Sequence, residues 1–167
     1  MKVRVSVILT THNSEKYLKD SILSLVNQNF TEYEIIIADN NSSDNTTLIA
    51  KKYAENFDFI KLCSKDGLKD GALKNEAFKL SKGEFVTFQS GDDIFHEDFL
   101  YKMYEKIRID NADIAICNSF EFVENKKNVI KKYFQKTLPY AWAWDKLVRR
   151  SLIEKEKTES KQALSLI

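Results

Sequence analysis

Little in this 167-residue sequence is there to bend or staple a chain: it has one proline, four glycines and two cysteines. So little glycine and proline excludes collagen-like and low-complexity classes. Cys63 and Cys117 stand in strand-like apolar contexts, which fits reduced core residues rather than a disulfide framework or a zinc site. The longest apolar runs, around Val5 to Leu9 and Ile35 to Ala38, fall far short of the ~20 residues that a membrane-spanning helix requires. The amino terminus also lacks the basic, apolar and small-residue order of a secretory signal, because Arg4 and Ser6 interrupt a segment that reads as a strand. A cytoplasmic location is therefore expected. An excess of one charge is missing as well: 26 Lys plus Arg against 25 Asp plus Glu leave a net charge of +1, which disfavours nucleic-acid binding. What is present, 43% hydrophobic residues over 167 positions, suffices for one domain burying roughly 70% of its unfolded surface.

The charge is unevenly placed. Residues 126–167 hold 11 basic and 4 acidic side chains, so this part carries +7 and the preceding 125 residues −6. A basic face near the carboxyl end can meet diphosphates or an anionic membrane surface, although a solvated lysine-rich surface explains it equally well.

Strands and helices alternate along the chain. Val3 to Leu9 reads as a strand, and Asn13 or Ser14 as the cap of a helix with Tyr17, Leu18, Ile22, Leu25 and Val26 on its apolar face. Tyr33 to Ala38 is continuously apolar, as central parallel strands are. Ser43 or Asp44 is expected to cap a helix running to about Glu55. Strands follow at Phe57 to Leu62, Glu84 to Phe88 and Ala112 to Cys117, with helices at Gly71 to Leu80 and Glu97 to Asp110. This alternation predicts right-handed crossovers and an α/β fold, a three-layer α/β/α sandwich around a mostly parallel sheet. After Asn118 an edge hairpin is expected around the turn Glu124 to Asn128. A helix or helical turn is expected from Tyr140 to Ile153, and a polar, frayed end from Glu154.

Ligands of open parallel sheets bind at the carboxyl ends of the strands. Those ends carry Thr10, Thr11, His12 and Asn13; then Asp39, Asn40, Asn41, Ser42, Ser43 and Asp44; then Ser90, Gly91, Asp92 and Asp93. Adjacent carboxylates such as Asp92 and Asp93 suit a hard cation, Mg²⁺ or Mn²⁺, which takes few protein ligands and several phosphate or water oxygens. Standing alone they are more often a turn that leads into a helix cap. Asp39 can accept hydrogen bonds from a nucleobase or ribose, or can cap the next helix. His12 alone is more often a packed or surface residue than a ligand. Lys74, near the Gly67 to Gly71 loop, can contact phosphate or solvent. Trp142 and Trp144 lie two apart and cannot share a helix face, so one packs while the other can border a pocket. No G-x-G-x-x-G follows the first strand, which disfavours a dehydrogenase or methyltransferase.

Four segments in order, SVILTTHN at Ser6 to Asn13, EIIIADNNSSDNT at Glu34 to Thr46, ALKNEA at Ala72 to Ala77 and GEFVTFQSGDD at Gly83 to Asp93, resemble the family 2 glycosyltransferases of the GT-A fold. There the corresponding segments read S-V-I-I-P-T-Y-N, D-D-G-S-x-D-x-T, A-R-N-x-G and D-S-D-D. WDKLVRR at Trp144 to Arg150 is similar to the W-N-K-L-x-R-R segment of bacterial capsule and lipopolysaccharide members, and the resemblance covers about residues 3–150. It implies a metal-dependent, inverting hexosyltransferase in surface polysaccharide synthesis. The donor would be a nucleotide-diphosphosugar, best guessed as a UDP-sugar, and the acceptor a glycan or lipid-linked hydroxyl. Asp39 would bind the base, and Thr10, Thr11, His12, Asn13, Asn41, Lys74, Ser90 and Gly91 would line the nucleotide site. Asp92 and Asp93 would hold Mn²⁺ or Mg²⁺. A peripheral contact with the membrane, and a homo-oligomer or partner subunit, are further partner expectations.

The departures are specific. The first Asp of the family's D-x-D is Ser90, and Pro and Tyr of the first motif are Thr10 and His12. The Arg of the third motif is Lys74, which keeps the charge but loses the bidentate fork. Family members continue to an acidic pair that supplies the catalytic base. Between Ser151 and Ile167 the candidates are Glu154 and Glu156. The chain is accordingly expected to be one glycosyltransferase domain over 1–167, shortened at its carboxyl end. Its donor-binding part would span about residues 1–118, and a partial acceptor side about 119–167. The alternative is a nucleotide-sugar-binding remnant or subunit without a base.

Overall fold

The computed structural model describes residues 2–64, 70–122, 130–133 and 145–160. Three strand-helix units open the fold: β1 (Val5–Thr11) and α1 (Leu18–Val26), β2 (Tyr33–Asp39) and α2 (Thr46–Asn56), β3 (Ile60–Ser64) and α3 (Asp70–Leu80). Then come β4 (Phe85–Ser90), α4 (Phe99–Ile109), β5 (Ile114–Ile116), β6 (Ser119–Phe122), β7 (Ile130–Tyr133), β8 (Lys146–Arg149) and α5 (Arg150–Ser160). One six-stranded sheet runs in the order β3-β2-β1-β4-β8-β5. β1 to β4 are mutually parallel, and the order of the strands reverses between β1 and β4, where such sheets take their ligands.

Burial on both faces explains the unbroken apolar runs. All seven residues of β2 are buried, as are six of the seven in β1. Alternate side chains feed two cores: Val5, Val7 and Leu9 join Leu18, Ile22, Leu100 and Ile107 on one face, while Ile8, Val86 and Phe88 join Leu73, Ala77 and Ile153 on the other. In α4 the buried set Leu100, Met103, Tyr104 and Ile107 keeps helical spacing. Gly83 is needed where the chain enters β4, since a Cβ there would stand 2.5 Å from the Ser6 backbone nitrogen. Cys63 and Cys117 are thiols outside any disulfide, and burial followed by the charge of Asp145 pushes Cys117 up to about 11.

The carboxyl-terminal quarter corrects the sequence reading. The residues expected to form a helix from Tyr140 to Ile153 include β8, which lies antiparallel to β4 and β5, and the helix begins only at Arg150. Leu147 and Val148 are both buried, one in each core, a two-residue period that four residues are too few to display in sequence. The stretch expected to fray from Glu154 is helical to Ser160 because Ile153 is fully buried and anchors its first turns. The hairpin is present as β6 and β7, but they form their own two-stranded sheet rather than an edge of the main one. Its turn, the two tryptophans, and Gly67 lie outside the described residues.

One buried charge makes acid stability testable. Glu34, 3% exposed in β2, accepts from Ser6 Oγ at 2.9 Å, Lys82 N at 2.5 Å and Lys61 Nζ at 2.7 Å. Burial works to raise its pKa, but Lys61 and the hydrogen bonds from Lys82 and Ser6 outweigh it and hold the carboxyl below its ordinary value. With the folded pKa below the unfolded one, this stabilisation is present above the ordinary carboxylate range and is lost as pH falls through the folded pKa. Glu34→Gln is expected to cost about 1–2 kcal/mol near neutral pH and to shrink the acid-induced loss. Thermal melts of both proteins along a descending pH series measure it.

Candidate active site at the strand ends

The first two strand-helix loops are tied to each other. Asn13, at φ 48°, donates its backbone N–H to Ser42 Oγ at 2.9 Å and accepts from Ser43 N at 2.8 Å through its side-chain oxygen. Ser14 N donates to Thr46 Oγ1 at 2.7 Å, Glu15 N to Asp44 Oδ2 at 3.1 Å, and Asn45 Nδ2 to Glu15 Oε2 at 2.8 Å. This corrects the capping expectation for α1: no side chain caps it, and the Ser14 carbonyl accepts from Tyr17 N and Leu18 N instead. Asp44 does reach the start of α2, accepting from Thr46 N at 2.9 Å, while also holding the neighbouring loop. The excess of short polar side chains after β2 is explained by this interlock, in which Glu15 and Thr46 went unrecognised in the sequence.

Asp39 lies beneath the interlock with no exposed surface. Ser42 Oγ donates to its Oδ1 and Thr47 Oγ1 to its Oδ2, each at 2.5 Å. A carboxylate oxygen has two lone pairs, so each retains one for another donor. Asn41, at φ 55°, is exposed.

The ends of β1, β2 and β4 enclose a cleft of about 350 Å³ whose lining includes Thr10, Thr11, His12, Ser90 and Asp92, together with Lys74 from α3. Six of the eleven residues expected in the binding site therefore meet in one concavity, while Asn13, Asp39, Asn41, Gly91 and Asp93 lie behind or beside it. Ser14, Asn40, Phe88 and Gln89 line the cleft too. Only the place of Phe88 and Gln89 at the end of an apolar strand pointed to them. A larger hollow of about 550 Å³ between Asn29 to Thr31 and α4 sits at the opposite, amino-terminal end of β2.

His12 bridges the two loops through both ring nitrogens. Its Nδ1 is 2.8 Å from the Asn40 carbonyl, which only accepts, so Nδ1 carries the proton. The Asn13 oxygen is already committed to Ser43 N, which leaves its Nδ2 to donate to His12 Nε2 at 3.3 Å. The ring thereby joins the two loops at the cleft wall.

The β4 turn presents the carboxylates. Ser90 Oγ donates to Asp92 Oδ1, and Asp92 is exposed at the cleft. Asp93 is half-buried; burial, and then the charge of Asp92, raise its pKa above the ordinary carboxylate value. Asp92 and Ser90 are hard oxygen donors in the cleft, and a cation beside them would relieve the repulsion on Asp93. Among the described residues no group of three His, Cys, Asp or Glu stands together as a metal cage. The donor set thus fits a cation that draws most of its ligands from phosphate or water.

Gly91 sits where the turn touches β1. Its N–H donates to the Thr10 carbonyl at 2.8 Å, and an added Cβ would lie 2.6 Å from Thr11 Oγ1 and 2.9 Å from Thr11 Cβ. Gly91→Ala is expected to lose about 1–3 kcal/mol of stability by overpacking and to displace Asp92, a change that thermal melts combined with ligand titration will register.

Glu154 is not brought to the cleft. It lies one turn into α5, 3.9 Å from Arg150, whose Nε donates to the Gly83 carbonyl at 2.6 Å. That contact belongs to the amino end of β4, at the far side of the sheet. Glu156 follows on the same helix.

Comparison with known proteins agrees with this geometry. The profile of Glycosyl transferase family 2 matches residues 6–161. The Cholesterol galactosyltransferase of Borreliella burgdorferi is 31% identical, covering 92% of this chain and 50% of that protein. For the Poly(ribitol-phosphate) beta-N-acetylglucosaminyltransferase TarP of Staphylococcus aureus the identity is 33%, over 95% of this chain and 52% of that protein. The crystal structure of S. aureus TarS 1-349 in complex with UDP-GlcNAc matches with a TM-score of 0.75 at 26% identity, over 93% of this chain and 48% of that one. The expected α/β architecture is thus the GT-A fold of TarS. The chain spans about half the length of the curated relatives it matches. Taken with the strand-end cleft, these matches establish that the chain belongs to glycosyl transferase family 2.

Proposed function

We propose that this chain carries the donor site of an inverting glycosyltransferase that moves a sugar from a nucleotide-diphosphosugar, a UDP-sugar first, to a hydroxyl of a glycan or lipid-linked acceptor in surface polysaccharide synthesis. The observation that carries the reading is the cleft at the reversal of strand order, where hydroxyls, an imidazole, a lysine and a carboxylate converge. Two buried polar atoms of its lining, Thr11 Oγ1 and Gln89 Oε1, have no hydrogen-bond partner among the described residues, as expected of a site finished by its ligand.

In this reading Asp39 accepts from the base with its remaining lone pairs, Thr10, Thr11, His12, Asn13 and Asn41 form the nucleoside wall, and Lys74, Ser90 and Gly91 border the diphosphate. Asp92, supported by Asp93, holds Mg²⁺ or Mn²⁺, which when bound supplies charge neutralisation to the departing diphosphate. The basic stretch between Lys126 and Lys157 brings the protein to the cytoplasmic face of a membrane. No helix among the described residues is long and apolar enough to cross one.

A second reading, nucleotide-sugar binding without transfer, is favoured by the position of Glu154 at the opposite end of the sheet from the cleft. Calorimetric titration with UDP, with and without Mn²⁺, tests the first claim, and a folded chain that binds no UDP would overturn it. Sugar transfer, assayed on the same protein and on Glu154→Gln and Glu156→Gln, then separates the two readings. Transfer by the wild type removes the second reading, and unchanged transfer in both variants removes both glutamates as base.

A further inference from the structure

β8 enters the sheet antiparallel, so its first residues stand at the rim where β1 and β4 end. Two charges open it. Asp145 is 5% exposed, and Lys146, its side chain 15% exposed, places Nζ 2.7 Å from Asp145 Oδ1. An ion pair this buried is a poor way to stabilise a fold, because desolvation offsets most of the Coulomb attraction and apolar replacements are often as stable or more so. β8 has other anchors: Leu147 and Val148 are buried in the two cores, and the strand is hydrogen-bonded on both edges. A cation here can serve a purpose besides packing.

Its place in the sheet supplies one. Val148 packs in the cluster that holds Val86 and Phe88, and side chains two apart on a strand share a face. Lys146 therefore projects on the Phe88 face. The register pairs Val86 with Val148 and Thr87 with Leu147; the next step sets Lys146 beside Phe88, which lines the cleft together with Ser90, Asp92 and Lys74. Adjacent strands lie about 4.8 Å apart, so the Lys146 backbone runs one strand away from the β4 wall, beside the residues that line the cleft, while Lys74 approaches the same cleft from α3.

We propose that Lys146 is a second cationic contact of the cleft, acting with Lys74 on the diphosphate of a nucleoside diphosphate, and that Asp145 is the positioning residue that aims it. This deepens the donor-site reading above and rests on it. A cation at this position faces the bridging and terminal phosphates and not the base, so it selects for charge on the ligand and not for the nucleoside.

The test is calorimetric titration of the 167-residue chain, its Lys146→Met, Lys146→Gln and Lys146→Arg variants, and Asp145→Asn, with UDP and with uridine. Methionine keeps the apolar stem and removes the charge, and glutamine is a second neutral variant should methionine repack. The expected result is UDP affinity about tenfold weaker in both neutral variants, ~1.4 kcal/mol, with uridine affinity unchanged and most of the loss restored by arginine. Asp145→Asn should weaken UDP in the same selective way, and the UDP loss should shrink as salt is raised. UDP and uridine falling together in folded variants, or UDP unaffected by Lys146→Met, would overturn the proposal while leaving the donor site standing. A folded wild type that binds neither ligand would overturn the donor-site reading itself, and this inference with it.

Discussion

Asp92→Ala is expected to abolish the gain in UDP affinity that Mn²⁺ provides and to reduce sugar transfer about 100-fold or more, since metal stabilisation of a leaving diphosphate is worth several kcal/mol. The expectation follows from how few donors the turn offers. The family's first D-x-D carboxylate is Ser90 here, and its hydroxyl is already donated to Asp92. Asp93 is half-buried, outside the cleft lining, and held above the ordinary carboxylate range by burial and by Asp92. Among the described residues, Asp92 is therefore the one carboxylate that combines exposure with a place in the cleft. Two controls give the result its meaning. Asp92→Asn keeps the size and one oxygen donor but removes the charge, and should behave like alanine in the metal-dependent component while leaving EDTA-treated UDP binding near wild type. Asp93→Asn removes a carboxylate that is costly to ionise where it stands, and should raise stability at neutral pH: its folded pKa is raised, so its favourable contribution is present at low pH and lost as pH rises through that value. If Mn²⁺ strengthens UDP binding equally in wild type and Asp92→Ala, the turn is not a metal site, and the role of the carboxylate is to order Ser90.

The parts of this fold legible in the sequence were those whose residues face one requirement at a time. Tyr33 to Asp39 must be apolar because both faces are buried, and the run announces a central strand. The strand ends were legible too, because open parallel sheets take their ligands where the strands end. Six of the residues so chosen share the cleft. What the sequence hid were residues serving two elements. Asn13 looked like a helix cap and is a tie between loops 30 positions apart in the chain; Glu15, on the surface of the chain's first turn, holds Asn45. Asp145 and Lys146 fell inside the stretch expected to be helical from Tyr140 to Ile153, and only antiparallel entry of β8 carries them to the rim. Glu154 gives the converse lesson. Its chemistry suited a base and its chain position suited the family, but α5 starts beside Gly83 and leaves it at the wrong end of the sheet.

Asp39→Ala should produce the largest combined loss, in stability and in nucleotide binding. The carboxylate has no exposed surface and accepts two hydroxyls, from Ser42 and Thr47, and Ser42 in turn accepts the backbone N–H of Asn13. Removing it strands two donors in a part-buried setting and frees the loop that orders His12, at a cost of about 2–4 kcal/mol or roughly 5–10 °C in Tm. UDP affinity should fall at least tenfold, the worth of one hydrogen bond to a charged group. Asp39→Asn separates the two effects. Its oxygen still accepts from one hydroxyl, and the other hydroxyl can rotate to accept from the new amide, so most of the stability should return. The lone pairs that meet a base N–H on one side are gone, so UDP binding should stay weak while a thermal melt recovers. If Asp39→Asn binds UDP as the wild type does, Asp39 organises the loop without touching the nucleotide. The base would then be read by the His12 ring and the Asn40 side of the cleft, and His12→Ala would become the variant that loses nucleotide affinity.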